Sequence, residues 1–215
     1  GKRMKAHDLS ALGAGFSSEA HGSQSVFREA LQALSHPGRC VDALHDAQVP
    51  SAGHPASAAL LLAMLDADCT LWLSPMLARS DAALWLHFHT GCQLVDDLAQ
   101  AQFVWVAAGD AMPELKVLPQ GTEAYPDQSA TCVVDVLTLQ AHLQGQAGWC
   151  LRGPGIQGQA QLRVEGVPAD FLAQWSANHA RCPRGGDVSL AAQQQLVGLP
   201  RTTAIEPTGG QSACM

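Results

Sequence analysis

Apolar residues in this chain first recur at helical spacing and later alternate in short runs. In 23-SQSVFREALQALSHPG-38, Phe27, Leu31 and Leu34 fall at i, i+4 and i+7, which predicts a helix with those three on its inner face. Ser23 or Ser25 stands where a cap belongs. Pro37 and Gly38 end the segment, because a proline disfavours helical geometry at the residue before it. A short strand, 39-RCVDAL-44, follows. Further helices are predicted over 55–66, with Pro55 in the first turn, and over 80–89, opened by Ser80 and closed by Thr90 and Gly91. Strand-length apolar runs are 69-CTLWLS-74, 92-CQLV-95 and 102-QFVWVAA-108. A short helix near 112–118 and a turn-rich loop over 119–130 come next.

The second half is poorer in helix. Strands are predicted at 131-TCVVDV-136, 149-WCLRG-153, 160-AQLRV-164, 187-DVSLA-191 and 195-QLVGL-199, with one amphipathic helix over 168–180. Helices alternating with strands, followed by strand pairs, imply a layered α/β domain with a mixed sheet. The expected organisation is a loosely ordered arm over 1–22, a single domain over 23–207 and a flexible tail over 208–215.

Composition narrows the functional classes. The 215 residues, 47% of them apolar, suffice for one substantial core. A net charge of −7 leaves no global basic field for nucleic acid or an anionic membrane. The apolar stretch over 58–73 is interrupted by Asp66 and Asp68 before it could span a bilayer, and residues 1–30 lack the pattern of a signal peptide. Seven cysteines, an odd number without a C-x-x-C pair, read as the reduced thiols of a cytoplasmic protein.

Candidate chemistry is sparse. His87 and His89 suggest a metal, but on a helix i and i+2 point about 200° apart, and no nearby Cys or carboxylate completes a ligand set. No nucleophile elbow and no phosphate-binding loop occurs. The glycines of 153-GPGIQGQ-159 lie between two predicted strands, where a tight turn is the simpler reading. Lysine is limited to Lys2, Lys5 and Lys116, so a Schiff base to pyridoxal phosphate has no good candidate and no cofactor is expected. Two arginine-centred turns remain: Arg201 with Thr202 and Thr203, and 35-SHPGR-39 with Ser35, His36 and Arg39. Arginine is a planar, permanent cation suited to phosphate or carboxylate, while a surface ion pair and a helix stop are the plainer alternatives.

The segments 27-FREALQALSHPGR-39, 87-HFHTGC-92, 153-GPGI-156, 183-PRGGDV-188 and 200-PRTT-203, in this order, resemble the PhnH family of phosphonate-metabolism proteins. The resemblance implies a subunit of the bacterial carbon–phosphorus lyase core complex. It implies a three-layer mixed sheet like the large domain of pyridoxal-phosphate-dependent transferases, without the cofactor. It further implies homodimers that join PhnG, PhnI and PhnJ in converting ATP and an alkylphosphonate to a ribose 1-phosphonate 5-triphosphate. Two roles stay open: a non-catalytic subunit acting through contacts, and a subunit that binds nucleotide or phosphonate. For the second role, Arg201, Thr202, Thr203, Ser35, His36 and Arg39, with His87 and His89, are expected to line one anion-receiving pocket.

Overall fold

Alternate residues of the central strands go to opposite sides, and each side has its own core. Trp105, Val133 and Ala191 enter one cluster, whereas Val104, Val106, Cys132, Val134, Val188 and Leu190 enter the other. Strands buried on both faces read as nearly continuous apolar runs, which is why 103-FVWV-106 and 131-TCVVD-135 show no polar alternation.

The computed structural model describes residues 12–209. In chain order its elements are α1 (Glu19–Ser35), β1 (Val41–Asp42), α2 (Pro55–Met64), β2 (Thr70–Leu73), α3 (Pro75–Ala78), α4 (Ala82–Thr90), β3 (Gln93–Leu94), β4 (Phe103–Val106) and β5 (Thr131–Asp135). Then come β6 (Thr138–Gln140), β7 (Gly148–Arg152), β8 (Ala160–Glu165), α5 (Phe171–Ala180), β9 (Asp187–Ala192), β10 (Gln195–Leu199) and β11 (Ala204–Thr208). Seven strands form one sheet in the order β1-β10-β9-β5-β4-β2-β3. Strands β3, β2, β4, β5 and β9 run parallel, and β10 is antiparallel to both β9 and β1. A second, antiparallel sheet has the order β11-β7-β8-β6. One core joins α1, α2 and α4 to the large sheet; the other joins that sheet to α5 and the small sheet.

Three expectations change. The helix of 23–38 begins earlier, at Glu19, and buries Val26, Ala30 and Ala33, leaving Phe27 and Leu31 exposed. Gly198 on β10 explains the shift: a Cβ there would lie 2.5 Å from the carbonyl of Ala33. The backbones approach so closely that only small side chains fit between them, and the larger ones turn outward.

The described end of the expected arm is pinned rather than loose. Trp85 Nε1 donates to the carbonyl of Gly13 at 3.0 Å, and Ser17 N donates to Asp46 Oδ1 at 3.1 Å. Residues 1–11 and 210–215 of the expected arm and tail lie outside the described residues. Finally, β6 and β11 occur where no strand was expected. Strand β11 contains Pro207 and pairs on one side only, with β7, which is the position a proline tolerates in a sheet.

Candidate functional site

The segment that ends β10 turns Arg201 inward. Its side chain is 10% exposed, and Asp187, the first residue of β9, lies beside it because Leu199 pairs with Val188. Arg201 Nε donates to Asp187 Oδ1 at 3.1 Å and Nη2 donates to Oδ2 at 3.0 Å. Nη1 donates to the carbonyls of Pro126 at 2.8 Å and Pro183 at 3.1 Å, and Nη2 also donates to Ser129 Oγ. All five N–H groups of the guanidinium therefore have acceptors. The backbone N of Arg201 donates to Asp187 as well, at 2.9 Å.

The expected solvent-facing cation is instead a clamp joining 183-PRGGDV-188 to 200-PRTT-203, and an anion would have to displace Asp187. Glu206 takes no part; it pairs with Arg152 at 3.1 Å. Thr202 is exposed. Thr203 is fully buried, its carbonyl accepts from Trp175 Nε1 at 2.8 Å, and its Oγ1 has no hydrogen-bond partner among the described residues.

The other arginine-centred turn has a different setting. Helix α1 stops at Ser35, and His36 leaves helical geometry at φ −129° as Pro37 requires. Gly38 then takes φ +84°, open to glycine at no steric cost. The turn between β7 and β8 lies against this segment. A Cβ on Gly155 would come within 2.3 Å of the Ser35 carbonyl, and one on Gly153 within 2.8 Å of the Thr202 carbonyl. The Gly-Pro-Gly of 153–155 thus touches both arginine-centred turns.

Between 36–39, 141–142 and 155–161 opens a cleft of about 760 Å³, lined by His36, Arg39, His142 and Gln157 among others. No carboxylate is among its lining residues. His36 Nδ1 lies 3.3 Å from the Gln32 carbonyl, and Arg39 is exposed. Ser35 supports the turn through its backbone and does not line the cleft.

His87 and His89 are not brought to this place. His87 Nδ1 lies 2.7 Å from the Cys92 carbonyl and bonds the end of α4 to the start of β3. His89 Nε2 lies 2.8 Å from the Gly13 carbonyl, and its ring meets Trp85 edge-on. Among the described residues no group of three or more His, Cys, Asp or Glu could hold a metal ion.

A second concave region, at the carboxyl ends of the parallel strands, was not foreseen. Two cavities of about 740 and 540 Å³ share Ala107, Ala108 and Asp135. The Asp135 carboxylate is 1% exposed. It accepts from Ser57 Oγ at 2.5 Å, Trp105 Nε1 at 3.0 Å and the backbone N of His54 at 2.9 Å. Burial pushes its pKa up, and these donors pull against that. In the sequence Asp135 is one acid in an apolar strand, and only the topology places it at a strand end. No lysine lines these cavities. Lys116, the one lysine among the described residues, lies exposed at the surface, 3.3 Å from Glu114 and away from Asp135.

The family profile of the bacterial phosphonate metabolism protein (PhnH) matches residues 14–206. The chain belongs to the PhnH family. It is similar to the alpha-D-ribose 1-methylphosphonate 5-triphosphate synthase subunit PhnH of Rhizobium meliloti, 38% identical over 192 residues, which covers 89% of this chain and 94% of that one. It is also similar to the putative C-P lyase subunit protein HtxG of Stutzerimonas stutzeri, 32% identical over 196 residues and covering 89% of each chain. The match takes in the Arg201 clamp and the Arg39 cleft alike.

Proposed function

We propose that this chain is a required subunit of the carbon–phosphorus lyase core complex, acting in organic phosphonate catabolism through its contacts. In this reading it forms a homodimer in the cytoplasm and joins PhnG, PhnI and PhnJ, supporting formation of ribose 1-phosphonate 5-triphosphate from ATP and an alkylphosphonate. Family membership supports the pathway. Among the described residues, no helix is long and apolar enough to cross a membrane. A seven-stranded sheet in which only β10 runs against the other six is compatible with a scaffold like the large domain of pyridoxal-phosphate-dependent transferases.

The observation that carries a contact role is the outer face of α1, where Phe27 is 43% exposed and Leu31 49%. One helical turn apart, they present an aromatic and an aliphatic side chain, each nearly half open to solvent, the composition of an interface anchor. The opposing reading, that the chain holds nucleotide or phosphonate through Arg201, meets a guanidinium whose donors are already used.

Co-expression with tagged PhnG, PhnI and PhnJ tests the proposal. The unaltered chain is expected to co-purify with the tagged subunits. Phe27→Asp with Leu31→Asp is expected to keep its unfolding temperature and lose co-purification by at least tenfold. Retention of the double variant at the unaltered level would overturn the α1 contact, and failure of the unaltered chain to co-purify would overturn the subunit role.

A further inference from the structure

The cavities of this acidic chain differ in the charge of their walls. Those at the strand ends carry Asp135, with Asp110 and Asp170 in the larger one and no Lys or Arg in either. The cavity beside α5 mixes Glu114 and Asp170 with Lys116 and Arg181. The Arg39 cleft alone among these has a permanent cation and no carboxylate. On a protein of net charge −7, a wall with an arginine and no acid stands apart from the other cavities.

Its polar side chains also come from separate segments. Arg39 and His36 stand on the turn after α1, His142 on the connection between β6 and β7, and Gln157 and Gln161 on the β7–β8 hairpin. Among the described residues the Arg39 guanidinium has no hydrogen bond or ion pair, so its fork is available to a ligand. The wall is built closely: Gly155 lies against the Ser35 carbonyl and Gly38 against Leu151 and Ala160, at φ values of +84° for both. A side chain at either position would push the two walls apart. The cleft, at about 760 Å³, is far larger than one tetrahedral oxyanion fills, and its polar side chains lie on more than one of its walls.

We infer that this cleft binds an extended phosphate-type polyanion, a chain of phosphoryl groups, with Arg39 as its bidentate anchor and His142, Gln157 and Gln161 as further donors. The site is separate from Arg201 and does not depend on the assembly role: it is read on the isolated chain, whereas that role is read by co-purification.

Calorimetric titration of the full chain at low ionic strength, with inorganic tripolyphosphate, orthophosphate and methylphosphonate as probes, tests it. Tripolyphosphate is expected to bind at least tenfold more tightly than either single-group anion. Arg39→Ala is expected to weaken it at least tenfold, Arg39→Lys by less, and Arg184→Ala, which removes an exposed arginine outside the cleft, by less than twofold. Equal affinity for the three probes would overturn the extended ligand. An Arg39→Ala variant that is folded by circular dichroism and binds tripolyphosphate unchanged would overturn the site, as would an equal loss with Arg184→Ala.

Discussion

Arg201 and Arg39 are the same side chain in the same kind of sequence context, one residue after a proline and two after another, yet the fold gives them opposite fates. Arg201 is enclosed, with all five N–H groups accepted by Asp187, Ser129 and two carbonyls. Arg39 is exposed on a cleft wall without a carboxylate. What separates them is the neighbouring backbone. Strand β9 brings Asp187 to Arg201, and the segments around Pro126 and Pro183 bring two open carbonyls, whereas the β7–β8 hairpin brings glycines, amides and apolar side chains but no acid to Arg39. A cation's charge is therefore no guide to its role until the acceptors around it are counted.

The largest effect should come from breaking the clamp. Arg201→Ala leaves Asp187 with only the backbone N of residue 201, and two carbonyls and Ser129 without the guanidinium, and truncating one partner of an enclosed pair costs about 3–5 kcal/mol. Because the Asp187 side chain is 30% exposed and water can reach it, the lower end of that range is expected. Urea denaturation measures it. Arg201→Lys should recover less than half, since a point charge cannot serve acceptors spread around a planar fork. A loss under 1 kcal/mol for Arg201→Ala would show that the clamp is dispensable and reopen Arg201 to a ligand role.

Next in size is the wall that sets Arg39 apart. Gly155 holds φ +84°, and a Cβ would sit 2.3 Å from the Ser35 carbonyl and 3.1 Å from Pro37 Cδ. Left-handed geometry costs a non-glycine residue about 1–2 kcal/mol, and relieving the overlap adds about 1–3 kcal/mol. Gly155→Ala is expected to lower stability by about 2–3 kcal/mol, read by thermal and urea unfolding, and to weaken tripolyphosphate binding with it. An unaltered Tm would mean that the two turns are not held in register by this contact.

Much of this was legible in the sequence, and the failures share a cause. The helix stop at His36, the strands over 131–135, 187–192 and 195–199, and the mixed α/β class follow from local chemistry: a proline, a glycine and buried apolar runs. Helix α1 was found with the right period and the wrong phase. Its inner face is set by the approach to Gly198, a residue some 170 positions away in the chain, and no periodicity reports a distant glycine. Strand β11 was missed because its burial is slight and it contains Pro207. In the anticipated pocket, His36 and Arg39 do share a cleft, Arg201 and Thr203 are buried and do not line it, His87 serves the turn after α4 and His89 holds the Gly13 carbonyl. Grouping them required knowing which strand lies next to which, and motif order along the chain carries no such information.

The smallest expected effect is the one that makes the comparison sharp. Removing Arg39 breaks no hydrogen bond or ion pair among the described residues, opens no enclosed cavity and leaves the chain one unit more negative. Surface substitutions of that kind stay within about 0.5 kcal/mol. Arg39→Ala should therefore unfold in urea with an unchanged slope and a midpoint close to that of the unaltered protein. If instead the loss exceeded 1 kcal/mol, Arg39 would be a structural cation like Arg201. The contrast between a committed and an available arginine would then fail, and weakened anion binding in that variant could no longer be assigned to a missing anchor. A null result on stability is thus what allows the binding measurement to be read as chemistry at the cleft.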